Sequence, residues 1–288
     1  MVRAALLIAA ASFTLLSCES STPEPAAPAE QRACGVGGAP MVGVITELRF
    51  GREVDGATLG FDLDGHVTAD GDGDGCGLAD HIDPDGVPGI DNGMLRLLPA
   101  LEATQARVVE DLVQQSIAEG ELLLLPVLEG LDNLDSGCAR GRLVRGAGDP
   151  LLGTDGLILP GQTFEEDIDQ PSADLGEVRL EGGTLEVHDF AFQIPMQVFN
   201  AVFTLDIASG GIRIHFNEDG TFTGFMAGPI DTETIVDIVS TSGVGSDVRA
   251  LIDGLIGSVA DMEDEDGNCT KLSVTLVFSG VTAFLFED

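Results

Sequence analysis

Over 177–226 and again over 272–286 apolar side chains recur largely at every second position, and glycine, asparagine or aspartate interrupts them at short intervals. Period two is the spacing of a strand with one face in a core and the other in water. Phe190, Phe192 and Ile194 mark a strand over 188–195, and 198–207, 212–216 and 221–226 give three more. Gly182-Gly183 is a two-residue hairpin turn inside 177–187, and Asn217-Glu218-Asp219-Gly220 turns the last pair. Two closing strands, 272–278 and 281–286, are separated by Ser279-Gly280. In the first half, 41–50 alternates at Val42, Val44, Leu48 and Phe50. The leucine run in 121–128 is too short to cross a membrane and reads as a buried strand.

Helical spacing appears three times. Val108, Val109, Leu112, Val113 and Ile117 fall on one face of 104–119, with Gly120 where a C-cap would sit. Pro99 is expected to break this helix from a short one over 93–98. Asp231 and Ser246 are placed to N-cap two more, over Ile235–Val239 and Val248–Val259. The expectation is an α+β fold, a mostly antiparallel β-sheet with three to four helices packed on one face or end.

The first eighteen residues have the form of an export signal. Arg3 is a short positive region, 4–16 is apolar and Ser17 is small at the cleavage position. Leu15-Leu16-Ser17-Cys18 resembles a bacterial lipobox. The resemblance implies cleavage before Cys18, acylation of its thiol with palmitate-type chains, and a membrane or outer-membrane anchor, periplasmic or surface-exposed. Residues 1–17 are then the signal peptide. Residues 19–33 hold Pro, Ala, Ser and Glu with nothing large and apolar to bury, so 18–33 reads as a lipidated cysteine with a disordered tether.

Cys34, Cys76, Cys138 and Cys269 remain, an even number in an exported chain, and read as two disulfides. The Gly-, Pro- and Asp-rich stretch 146–176 divides possible sub-domains 34–145 and 177–288, but three cysteines precede it and one follows. One bridge must therefore tie the halves into a single unit, 34–288. Three connectivities are open; Cys76–Cys138 with Cys34–Cys269 is the one preferred here.

Asp and Glu number 49 against 13 Lys and Arg, a net charge of −36. That excludes nucleic acid as a partner, because phosphate binding needs clustered cations. It also leaves attachment to the lipid bilayer to the Cys18 acyl chains rather than to a basic face. With 44% hydrophobic residues the chain still has a core to pack.

Eleven carboxylates and no Lys or Arg lie between residues 53 and 91. In the densest part, carboxylates at alternate positions relieved by glycines can wrap hard oxygens around one cation. The run resembles the calcium-binding repeats of thrombospondin type 3 and, less closely, an EF-hand loop. Asp70, Asp72, Asp74 and Gly75 match the shared start; Asp80, Asp83 and Asp85-Gly86 match the later aspartates once Cys76-Gly77 is taken as an insertion. His81 stands where an EF-hand carries its bidentate Glu, and the run is a single copy of about 17 residues. The resemblance implies a structural calcium loop on Asp70, Asp72, Asp74, Asp80, Asp83 and Asp85. A second cluster, Asp261 with 263–266, has no regular spacing and reads as a solvated turn.

Catalytic patterns are missing from the sequence: His66, His81, His188 and His215 are scattered, and no H-E-x-x-H, G-x-S-x-G or phosphate loop occurs. Asp135-Ser136-Gly137 matches an aspartic-protease signature only in a single, incomplete copy. The expectation is a non-enzymatic, lipid-anchored envelope protein with a binding or structural role toward a protein or glycan partner. Two alternatives stand beside it. One is an envelope hydrolase acting on glycans through paired carboxylates; the other is a carrier of a hydrophobic ligand.

Overall fold

The computed structural model describes Cys34, Gly37 and residues 39–72, 75–102, 108–198, 201–241 and 245–286, with no side chains described over 195–203. The strands are β1 (Met41–Phe50), β2 (His81–Ile82), β3 (Pro88–Ile90), β4 (Leu123–Glu129), β5 (Cys138–Ala147) and β6 (Thr163–Glu166), then β7 (Ala173–Glu181), β8 (Thr184–Val198), β9 (Ala201–Phe216), β10 (Thr221–Asp231), β11 (Met262–Glu263) and β12 (Cys269–Leu285). The helices are α1 (Met94–Glu102), α2 (Val108–Ala118), α3 (Thr232–Thr241) and α4 (Ser246–Val259).

Eight strands form a closed ring, β1-β4-β5-β7-β8-β9-β10-β12 and back to β1, with every neighbour antiparallel. The α+β expectation is therefore corrected to a closed antiparallel β-barrel with four short helices. The physical reason is that period two fixes which face a residue takes but not which strand it pairs with. Here β1 pairs with β12 from Val42↔Ala283 to Phe50↔Leu276, so the first and last strands of the unit meet and no open edge remains. The stretch 146–176 is not a boundary: β6 lies within it, antiparallel to β5 and parallel to β12, and residues 33–288 make one compact unit.

Eight staves enclose a lumen that side chains fill. Val44, Leu143, Leu180, Leu185, Ile214 and Met226 are at most 1% exposed and belong to one continuous core. The outward positions of β7 and β9, such as Glu177, Arg179, Asp206 and His215, are exposed and polar. This wall faces water, the reverse of a lipid-facing barrel. Among the described residues no helix is long and apolar enough to cross a membrane.

Several elements run on where the sequence suggested a break. Ser279-Gly280 is no turn: β12 continues from Cys269 to Leu285, and Gly280 is needed because a Cβ there would meet the Phe222 ring and the Val44 carbonyl oxygen. The expected strands over 188–195, 198–207 and 212–216 are parts of β8 and β9, which outrun their neighbours as a two-stranded arm. β10 pairs with β9 only over Gly211–Phe216, whereas β8 follows β9 to Val198↔Ala201. A bulge at Asp189, φ 57°, bends the arm out of the barrel wall. Phe190, Phe192, Ile194, Leu205 and Ile207 are buried in the core, and α2 packs against β8 of the arm. α1 also continues, through Pro99, to Glu102. The cap of α4 is Gly245 rather than Ser246, with no side-chain bond.

The four cysteines do form two disulfides, but the preferred pairing is corrected. The bridges are Cys34–Cys138, Cα–Cα 5.2 Å, and Cys76–Cys269, Cα–Cα 5.7 Å. Cys269 lies at the start of β12, beside which the acidic loop runs, so Cys76 is the near partner. The bridge spanning the halves is Cys76–Cys269.

Candidate cation site and the adjoining cleft

Residues 51–92 cross the outside of the barrel. Gly51 N–H donates to the Thr275 carbonyl at 2.7 Å, and Phe61, 4% exposed, lies over Gly211 and against Phe225 and Ala227. Arg213 caps both rings, 5.8 Å from Phe61 and 5.2 Å from Phe225, while its own Nε donates to Glu186 at 2.5 Å. Phe61 is thus an apolar peg between the loop and the barrel wall.

The aspartates expected to hold calcium serve mostly local turns. Asp72 accepts from Ala69 N–H at 3.0 Å; Asp83 accepts from the N–H groups of Asp85 and Val87 at 2.9 and 2.7 Å. Asp70 and Asp85 are exposed, and Asp74 lies outside the described residues. Asp80 is half-buried and accepts from Thr68 N–H at 2.6 Å. Among the described residues these aspartates form no group of three within reach of one ion.

The convergence is one turn earlier. Asp62, Asp64 and Asp91 each place a carboxylate oxygen within 4.8 Å of the others. Asp62-Leu63-Asp64-Gly65 is a tight turn in which Asp62 accepts from Gly65 N–H at 2.7 Å and Asp64 from His66 N–H at 2.8 Å. Asp91 follows β3 and pairs with Phe61 as an isolated bridge, which brings a residue 27 positions after Asp64 against the turn. Gly89, φ 94°, admits this approach; its missing side chain leaves room for the Asp62 carboxylate and for Val67.

Asp91 is 2% exposed, and Leu63 N–H donates to its Oδ2 at 2.6 Å. No described Lys, Arg or His forms an ion pair with it. Burial pushes its carboxyl up to about 8 against the pull of the Leu63 hydrogen bond, with the charges of Asp64, Asp80 and Asp261 adding to the rise. Asp80 is raised for the same reason, by burial first, with Asp64 and Asp62 contributing. Three hard carboxylates around one point, one of them buried, are donors suited to a divalent cation such as calcium. The sequence signal for this site was the short Asp-x-Asp-Gly turn and a lone aspartate beside Ile90; the denser run downstream masked both.

The second acidic cluster divides. Asp264 accepts from Asp266, Asn268 and Thr270 in an exposed turn, as expected of a solvated segment. Asp261 is 6% exposed and hydrogen-bonded by Ser273 N–H at 2.8 Å and by the Ser273 hydroxyl.

Beside the loop opens a cleft of about 990 Å³. β1 and β12 supply its floor, Phe50 and Val277; Val54, Leu59 and Pro84 of the loop form one wall; Glu102, Glu110 and Asp111 at the facing ends of α1 and α2 form the other. Arg52 reaches across it. Its Nη2 lies 2.8 Å from Glu102 and 2.9 Å from Glu110, and its Nη1 also donates to the Phe50 carbonyl at 3.1 Å. Burial raises the Glu110 carboxyl, but hydrogen bonds from Arg52 and from Phe50 N–H outweigh it and hold the group below the usual carboxylate range.

The chain matches no protein-family model, no curated protein sequence and no solved structure. A closed antiparallel barrel carrying an acidic outer loop with one buried aspartate is the class that its fold and site define.

Proposed function

We propose that the protein is a non-catalytic, lipid-anchored component of a bacterial cell envelope. It is attached through acylated Cys18 and serves a binding or structural role, and its outer loop is closed by a divalent cation, calcium by donor type. Asp91 carries the cation part of this reading. A carboxylate 2% exposed, without a cationic partner among the described residues and facing Asp62 and Asp64, is costly to bury unless a metal or a proton neutralises it. Its ligands come from both ends of the segment, so an ion there would hold together a loop with little apolar content of its own. The lipid part rests on the lipobox resemblance and on the charge, which leaves no basic face for headgroups.

The cleft favours binding over glycan hydrolysis. A hydrolase needs one carboxyl that keeps a proton and one that does not. Arg52 instead pairs with both Glu102 and Glu110, and holds the Glu110 carboxyl below the usual carboxylate range. Asp91, whose carboxyl burial pushes up, is too buried to meet a sugar.

The experiment is a melting scan of the purified protein in millimolar calcium and in chelator. Calcium should raise the melting temperature of the wild type, and Asp91→Asn or Asp62→Asn should abolish the shift. An equal shift in these variants, or none in the wild type, removes the cation from the proposal.

A further inference from the structure

We propose that the cleft between the loop and the facing ends of α1 and α2 binds a small organic cation with an apolar body, of the alkylammonium kind; this names a ligand class for the binding role and rests on that reading. The cleft, about 990 Å³, has the size of a small-molecule site. Phe50, Val54, Leu59, Pro84 and Val277 give it apolar lining, of which Val54 and Leu59 remain 68% and 36% exposed. Large aliphatic side chains left bare inside a concavity are surface that an apolar ligand body would cover.

Charge selects the head group. Four carboxylates, Asp55, Glu102, Glu110 and Asp111, line the cleft against two guanidiniums, Arg49 and Arg52. Both guanidiniums are already committed. Arg49 pairs with Glu47 at 3.0 Å, and Arg52 pairs with Glu102 and Glu110. Asp55 and Asp111 have no hydrogen bond or ion pair among the described residues. Among the described lining residues no free cation is left to receive an anion, whereas an ammonium would find two unpaired carboxylates beside apolar surface. Arg52 acts as a positioning residue: it fixes Glu102 and Glu110 at the rim and cancels most of their charge.

The test uses three probes with one body and different heads, octylammonium, octanoate and octanol, titrated into the full chain carrying Cys18→Ser and followed by calorimetry and amide NMR shifts. Octylammonium should bind and shift resonances in 54–59 and at the start of α2, and octanoate should not. Asp111→Asn and Asp55→Asn should each weaken binding by about two- to five-fold, the scale of an exposed charge pair. Both positions are on the surface, and an unchanged melting temperature shows that the variants are folded. Equal binding of octanoate, shifts confined to another part of the barrel, or unaltered affinity in both variants overturns the inference. If octylammonium fails while calcium still stabilises through Asp91, the ligand class is wrong and the cation reading stands. If it binds where calcium does nothing, the reverse holds.

Discussion

At the scale of single residues, Asp91 makes stability depend on pH in a stated direction. Its carboxyl rises from 3.8 to about 8 on folding without a cation, so the folded chain holds a proton that the unfolded chain has lost. The contribution is fully present below pH 3.8 and is lost as pH climbs through about 8. The melting temperature in chelator should fall across that window, calcium should flatten the fall, and Asp91→Asn should remove this part of the slope. An identical slope in the variant would mean that another group is responsible. Gly280 makes a simpler case. A Cβ there has nowhere to go between Phe222 and the backbone of β1, so Gly280→Ala should cost about 1–3 kcal/mol in denaturant melts, as overpacked cores do. Neither residue announced itself. Gly280 looked like a turn because glycine between apolar runs usually is one, and Asp91 looked like one acid among eleven.

At the scale of elements, the loop over 51–92 is held to the barrel by one ring beside its disulfide. Phe61→Ala removes a side chain that is 4% exposed and packed between Phe225, tilted with ring centroids 5.0 Å apart, and His188, edge-on at 5.1 Å. The expected loss is about 3–5 kcal/mol where the loss is global. Because the ring sits outside the barrel, amide exchange should rise first in 51–92 while β4, β5 and β9 stay protected; uniform loss of protection would contradict this. The alternating strands of the second half were legible because large apolar residues mark period two plainly, and Gly182-Gly183 turns where expected, at φ 55° and 79°. β5 was not. Of its inward positions Ala139 and Gly141 are too small to mark a pattern, which leaves Leu143 alone, and its outward positions are Arg140 and Arg142, which pair with Asp174, Glu129 and Glu166 on neighbouring strands. Three-dimensional neighbours, absent from the local sequence, decide such a strand.

At the scale of the whole molecule, ring closure was beyond the sequence, since nothing in 41–50 says that its partner lies more than two hundred residues away. The even cysteine count did predict a covalently closed unit, and only the choice among three pairings missed. Cys18→Ser should move the protein from the membrane fraction to the soluble one; retention in the pellet would count against the lipid anchor. Replacing Cys34 and Cys138 together should cost about 2–5 kcal/mol, read from denaturant melts. That bridge also has a mechanical meaning. β1 touches β4 through only Met41 and Val42, a seam of two residue pairs, and it is the first seam that chain leading in from the N-terminus would meet. A pull applied from the N-terminal side of Cys34 would, however, pass through the disulfide to Cys138, the first residue of β5, whose hydrogen bonds run on both sides to β4 and β7. Such a load bypasses the weak seam and is carried in shear by two long ladders, so the barrel can be tugged at that end without being unzipped.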